Sequence, residues 1–249
     1  MSGAPKVNAL PSPPIRLAIC SPCRDEVDAE FAFCLARLSS VLGATLVAEG
    51  IADITFLSVN GSLVDFSRRK LFWEAVEWGA THILWLDTDM VFPDHIVHSL
   101  LKRNVDFVAA NYSTRRPPYQ PVSYKKTNRE TGDAPERCFT GPESEGLEEV
   151  EATGFGCVLM RTSMVASMPQ PIFHTEHDGT GKQWMGEDVT FCLAAREAGF
   201  KIWVDHDLSK YVGHAGRLVF THAHVEALRD FEAETKRMIL TPEEVARGL

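Results

Sequence analysis

The stretch HILWL, His82–Leu86, constrains the fold of this chain more than any other. It is nearly all apolar and too short for a helix. Such a run describes a strand covered on both faces, as in a sheet held between two helical layers. Its flanks repeat the theme. IRLAIC (15–20), DITFLSVNG (53–61), DFVAANY (106–112), VEATGFGCVLMR (150–161) and KIWVDHDL (201–208) read as further strands. Between them lie helical periods. In 26–42 the apolar residues Val27, Phe31, Cys34, Leu35, Leu38 and Leu42 recur at helical spacing, and 67–79 reads as a helix stopped by Gly79. Pro93 opens a third helix with Asp94 near its start, and 186–200 predicts a fourth. Strand and helix in alternation predict an α/β fold with a central, mostly parallel sheet flanked by helices.

Composition narrows the function classes. The 249 residues are 45% hydrophobic and 24% charged, with a formal net charge of -9. That balance gives no basic face for a nucleic acid. Arg68-Arg69-Lys70 and Arg115-Arg116 are basic islands suited to a small anion such as a diphosphate. No apolar run nears the roughly 18 residues of a membrane span. Residues 1–14, rich in proline, read as a disordered leader without the layout of a signal peptide. Six scattered cysteines predict reduced, buried thiols and a cytoplasmic location. Cys20 and Cys23 form a CxxC with no partner motif, which reads as the end of a strand rather than a zinc site. Residues 15–221 read as one catalytic domain. Within it, 113–149 is a polar loop or hairpin inserted across one edge. Residues 222–249 read as a helical tail, amphipathic through Val225, Leu228, Phe231 and Met238.

The strand HILWL runs straight into Asp87 and Asp89. In open α/β sheets, ligands sit at the carboxyl ends of strands. Two carboxylates so close stay ionised cheaply only if a cation joins them, and oxygen ligands suit Mg²⁺ or Mn²⁺. Two other readings stand beside this one. The acids can form a turn ahead of the next helix. DTDMV also fits the DxDx[TV] pattern of haloacid-dehalogenase-type phosphatases, with the first Asp as nucleophile and the second as general acid, although that motif normally follows the first strand of its fold. Glu187 and Asp188 open a predicted helix, where acids favour the dipole. Trp184 and Gly186 beside them suggest a platform for a sugar. His214, in YVGHAG, stands where it can complete a cation's shell.

Taken in order, the DxD after a hydrophobic strand, TGFGCVLMR, GED opening a helix with REAGF, and a later His resemble the GT-A glycosyltransferases. The likeness is to the family-two-like bacterial and phage members, and it spans roughly 15–216. Upstream, Ser67-Arg68-Arg69 stands where that family carries ARN, so the Arg is kept and the Asn is not. The resemblance implies a Rossmann-like nucleotide-diphospho-sugar transferase fold and a hexosyltransferase-type activity. It implies that Asp89 and His214 hold Mn²⁺ or Mg²⁺, and that Asp87 approaches the ribose or shares the ion through water. Arg68 would lie near the nucleotide of a UDP- or GDP-sugar, with Pro22 and Arg24 at the base and ribose. Thr153, Gly154 and Trp184 would face the donor sugar. Asp188 would be the general base that deprotonates a hydroxyl acceptor, giving inversion, and Glu187 would position that acceptor. The alternatives are the phosphatase and a non-catalytic protein that binds nucleotide-sugar or carbohydrate.

Overall fold

The computed structural model describes residues 15–128, 133–177, 180 and 184–216; the expected leader and tail helix lie outside them. The chain runs β1 (Ile15–Cys23), α1 (Ala29–Leu42) continued by a π-turn over Gly43–Val47, β2 (Ala52–Asn60), α2 (Val64–Trp78), β3 (His82–Leu86), β4 (Met90–Val91), α3 (Ile96–Arg103) and β5 (Phe107–Ala109). There follow β6 (Tyr124–Lys126), β7 (Glu136–Arg137), β8 (Leu147–Val150), β9 (Cys157–Arg161) and a 3₁₀ turn over Thr162–Ser167. Then come β10 (Glu176–His177), β11 (Trp184–Met185), α4 (Glu187–Glu197), β12 (Ile202–Asp205), α5 (His206–Ser209) and β13 (Gly213–His214). The compact unit that carries the sheet ends at Ala215.

Seven strands form the central sheet in the order β2-β1-β3-β9-β5-β12-β8. β1 is parallel to β2 and β3, and β12 is parallel to β5. β9 enters antiparallel between β3 and β5, and β8 lies antiparallel at the edge. Thus β1, β2, β3, β5 and β12 share one direction, as expected of a mostly parallel α/β sheet.

All five residues of HILWL are buried, and the reason is two cores. Ile83 and Trp85 enter one with Leu71, Phe72, Phe107, Phe155 and Phe191; Leu84 and Leu86 enter the other with Phe31, Leu38, Ile96 and Leu100. Successive side chains of a strand point to opposite faces, so a strand covered twice must be apolar throughout. α2 ends as its sequence foretells: Gly79 adopts φ +87°, and the N–H of Ala80 donates to Ala75 O at 2.9 Å. Only glycine takes that left-handed position without a steric cost.

Four expectations need correction. α3 starts at Ile96, whose N–H donates to Pro93 O at 3.2 Å in a preceding turn, so Pro93 and Asp94 stand just before the helix rather than in its first turn. VEATGFGCVLMR is not one strand. Its start is in β8 at the edge and its end is β9 in the centre, because β6 captures the stretch between them through Tyr124 N to Ala152 O (2.8 Å) and Glu151 N to Tyr124 O (2.8 Å). KIWVDHDL stops at Asp205, whose carboxylate caps α5 by accepting from Leu208 N at 3.2 Å. The helical run Ala29–Val47 has 19 residues and a mean hydropathy of 1.5, long and apolar enough to cross a membrane by length and composition. Its buried residues Phe31, Cys34, Leu38, Leu42 and Leu46 pack in the second core. The polar 113–149 segment contains the β6–β7 hairpin, as expected of it, and also β8.

Five aromatic rings fill the first core beneath the DTD turn. Phe173 and Phe191 stack at 4.6 Å, and Phe155 meets both edge-on at 5.2 and 5.1 Å. Trp85 lies 5.4 Å from Phe173, and Phe107 lies 5.5 Å from Phe155. Truncating Phe155 to Ala leaves a void among four rings that cannot close around it. We expect a loss of about 3–5 kcal/mol in unfolding free energy, read from urea denaturation.

Candidate active site

The two DTD acids sit where β3 leaves the sheet. Asp87 N donates to Gly156 O at 3.1 Å, which ties the turn to the start of β9, and Met90 N donates back to Asp87 O at 3.1 Å. A tight turn thus delivers Asp87 and Asp89 to the carboxyl end of a central strand. β4 then pairs antiparallel with β13, placing His214 opposite Met90, and Ala215 N donates to Asp89 O at 2.7 Å. The last described strand therefore reaches the DTD turn through main-chain bonds.

Arg68 joins the two acid motifs. It projects from α2 and is 2% exposed. Its Nη2 donates to both oxygens of Asp87 (2.9 and 3.2 Å), and its Nε donates to Glu187 Oε1 at 3.1 Å. The guanidinium lies 5.5 Å from the Trp85 ring and 5.4 Å from Phe155. Nη1 has no hydrogen-bond partner among the described residues. Burial alone would favour a neutral Arg68, yet the charges of Asp87 and Glu187 outweigh it and hold the guanidinium cationic. Arg68, expected beside the nucleotide, bonds both acid motifs and orients them.

Asp89 has a different environment. Its Oδ2 lies 3.2 Å from His214 Nε2 and also accepts from Arg115 Nη1. Burial raises the Asp89 carboxyl, but the hydrogen bond and charge of His214 and the charge of Arg115 overcome this and lower it. His214 is raised in turn, first by its bond to Asp89. His214 Nδ1 donates to Ser113 O at 3.0 Å. A carbonyl only accepts, so Nδ1 carries a proton; the bond to Asp89 needs a second proton on Nε2, and loss of that proton to a cation frees the Nε2 lone pair. Carboxylate plus imidazole, already drawing a cationic group to the carboxylate, is a donor set that fits a divalent cation. Arg115 shares the same oxygen and must move aside for one. Both oxygens of Asp87 already accept from Arg68 Nη2.

Asp188 begins α4 beside Glu187, which is 8% exposed. Burial, followed by the neighbouring charge of Glu187, pushes the Asp188 carboxyl up to about 6. A carboxylic acid that releases its proton near neutrality suits a general base. Arg68 feels the charges of both Asp87 and Asp188. Residues a hundred positions apart in sequence therefore share one electrostatic neighbourhood.

The remaining expected residues are placed as follows. Thr153 is fully buried, with its Oγ1 2.7 Å from Ser123 Oγ. A Cβ on Gly154 would come 2.7 Å from Tyr112 Oη, so its open side is filled by Tyr112. Gly156 obeys the same rule: its Cβ would stand 2.6 Å from that hydroxyl, which accepts from Gly156 N at 2.9 Å. Pro22 lies late in β1, opposite Val59, and Arg24 is exposed with Asp25 at 3.4 Å. Neither shares a bond with the acids among those described. Trp184 is in β11, and its side chain lies outside the described structure.

Two residues escaped the sequence reading as members of this site. Arg115 was visible only as half of a basic pair. Tyr112, packed edge-on against His214 at 5.3 Å, carried no signal, since a Tyr at the end of a strand is ordinary core. Because Arg68 is the buried counter-ion of two acids, Arg68→Ala strands both charges. A loss of about 3–5 kcal/mol of stability at neutral pH is expected, measured by chemical denaturation.

No family model matches this sequence, and no curated protein matches it. Among solved structures the chain is similar to A197 from STIV, at 15% identity and a TM-score of 0.47, over 84% of this chain and 100% of that one. It is also similar to S. aureus TarS 1–349 in complex with UDP-GlcNAc, at 13% identity and a TM-score of 0.45, over 84% of this chain. A second structure of S. aureus TarS 1–349 gives 11% identity and 0.45 over 81%. This chain spans 61% and 60% of the two TarS chains. Likeness at this level leaves the activity to be argued from the chain's own residues.

Proposed function

We propose that this protein is a GT-A-type glycosyltransferase that moves a hexose from a UDP- or GDP-sugar to a hydroxyl acceptor, with inversion and with a divalent cation. The observation that carries this reading is the Arg68 bridge between Asp87 of DTD and Glu187 of GED. It gathers two acid motifs at one end of the sheet, with Asp188 as a base and Asp89–His214 as a cation corner. The phosphatase reading is weaker because its nucleophile needs a free carboxylate, and both oxygens of Asp87 accept from Arg68.

The residues divide the work. Asp89 Oδ2 and His214 Nε2 would hold Mn²⁺ or Mg²⁺, which stabilises the charge that develops on a leaving diphosphate. Ser113 O fixes the His214 tautomer that leaves Nε2 available. Asp188, ionised, accepts the proton of the acceptor hydroxyl as that oxygen attacks. Glu187 keeps Asp188 basic through like charge, and Arg68 holds Glu187 in place. Arg115, released from Asp89, offers a guanidinium to the phosphates.

Incubation with Mn²⁺ and a panel of UDP- and GDP-sugars, UDP-GlcNAc among them, tests this reading. Slow release of free nucleoside diphosphate from one donor is expected. Tight donor binding without release would identify a binding protein, and phosphate release without any sugar donor would identify a phosphatase. Asp89→Asn should raise the Mn²⁺ concentration for half-maximal turnover more than about tenfold, at least the cost of disturbing a ligand's support. Unchanged Mn²⁺ dependence would remove the cation assignment.

Asp188→Asn should keep donor binding and lose about 10²–10⁴ in kcat. In the wild type, kcat should rise with pH through about 6, because the base works only when ionised. Glu187→Gln removes a like charge and should move that acid limb to lower pH. A flat profile in the wild type would exclude Asp188 as the base.

A further inference from the structure

Away from the acids, the far edge of the sheet gathers a second set of ligand atoms. Among the described residues, the group of three His, Cys, Asp or Glu side chains whose ligand atoms all lie within 4.8 Å of one another is Cys138, Glu148 and His206. Cys138 follows β7, Glu148 is in β8, and His206 opens α5 after β12. Cys138 and His206 are buried, 0% and 3% exposed. Glu148 Oε2 is 3.7 Å from Cys138 Sγ and 2.8 Å from His206 Nε2.

The frame around these atoms is fixed from every side. Cys138 N donates to Ser123 O at 2.9 Å, and Asn111 Nδ2 donates to Cys138 O at 2.8 Å. Glu148 is opposite Val204 in the β8–β12 ladder, and His206 N donates to Gly146 O at 2.9 Å. Each ligand also has an orienting partner. Thr140 Oγ1 is 2.9 Å from His206 Nδ1, which leaves Nε2 to face the cluster. Lys125 Nζ is 2.6 Å from Glu148 Oε1, which leaves Oε2 as the single inward oxygen. Metal-bound His and carboxylate groups are typically held by such outer partners.

The spacing lies within reach of a tetrahedral ion. Zinc with thiolate, carboxylate and imidazole at standard bond lengths separates S from O by about 3.6 Å and N from O by about 3.4 Å. The first value is already met. The second needs the His206–Glu148 hydrogen bond to open by about half an ångström. Thiolate and imidazole together select zinc over Mg²⁺ or Mn²⁺. We propose that Cys138, Glu148 and His206 bind one Zn²⁺, separate from the Asp89–His214 corner, and thereby fasten the polar segment after β5 to β8 and β12. The ion replaces the thiol proton, which leaves to solvent. Three protein ligands leave a fourth position for water.

The test uses the full chain, stripped with a chelator and titrated with Co²⁺ as a spectroscopic stand-in for zinc. One equivalent should produce a near-ultraviolet thiolate-to-cobalt band with tetrahedral visible bands, and Zn²⁺ should erase both. Cys138→Ser should lose the thiolate band while its far-UV circular dichroism stays that of the wild type. Thr140→Val, which touches no ligand atom, should weaken Co²⁺ about 10- to 100-fold. Asp89→Asn should leave the spectrum unchanged, which separates this site from the proposed transferase chemistry. Absence of a thiolate band in the folded wild type overturns the proposal and leaves a hydrogen-bonded cluster. So does a band that survives in Cys138→Ser.

Discussion

The arrangement rests on one buried guanidinium. Arg68 comes from the N-terminal half of α2, beside the rings of Trp85 and Phe155, and meets Asp87 just past the third strand and Glu187 of the fourth helix. Burying a cation costs several kcal/mol unless its partners are well placed, and burying either acid alone would cost as much again. The three therefore stabilise one another or none. This mutual dependence sets the distance between the DTD turn and the start of α4, and so fixes where Asp188 stands relative to Asp89. The rings below contribute a second constraint: they are rigid, they fill the first core, and they leave the guanidinium little room to move.

Much of this was legible in the sequence, for reasons that individual segments make plain. HILWL named a doubly covered strand because alternating faces cannot both be apolar by accident. Gly79 named a helix end because its left-handed backbone has no other cheap occupant. The DTD and GED acids stood out because charged residues beside buried strands need a reason. What was illegible is contact at a distance. Arg68 reads as one basic residue in a helix, and nothing local says that its two acids are 19 and 119 positions away. Thr153 and Gly154 looked open to a ligand because small residues do. In the fold Ser123 and Tyr112 fill that space.

The polar 113–149 stretch shows the same limit from another side. Its periodicity is weak because its partners are other segments rather than its own neighbours. Ser113 sets the tautomer of His214, Arg115 reaches Asp89, Tyr124 interrupts a strand, and Cys138 joins Glu148 and His206. A segment of that kind is organised by what it touches. Sequence patterns detect elements that organise themselves.

The antiparallel β9 has a consequence for how the chain emerges during synthesis. β1, β2 and β3 can pair as soon as residue 86 is available, because their ladder is parallel and contiguous. The other edge of β3 then waits for Cys157–Arg161, and β5 has no neighbour in the sheet until those same five residues arrive. For about seventy residues of translation the nascent half-sheet exposes an apolar, unpaired edge, the kind of surface that recruits unwanted partners. Gly156, the residue just before the strand that closes this gap, also accepts from Asp87 N and so holds the DTD turn. The ribosome therefore delivers the lock of the sheet and the support of its acids in a single short segment.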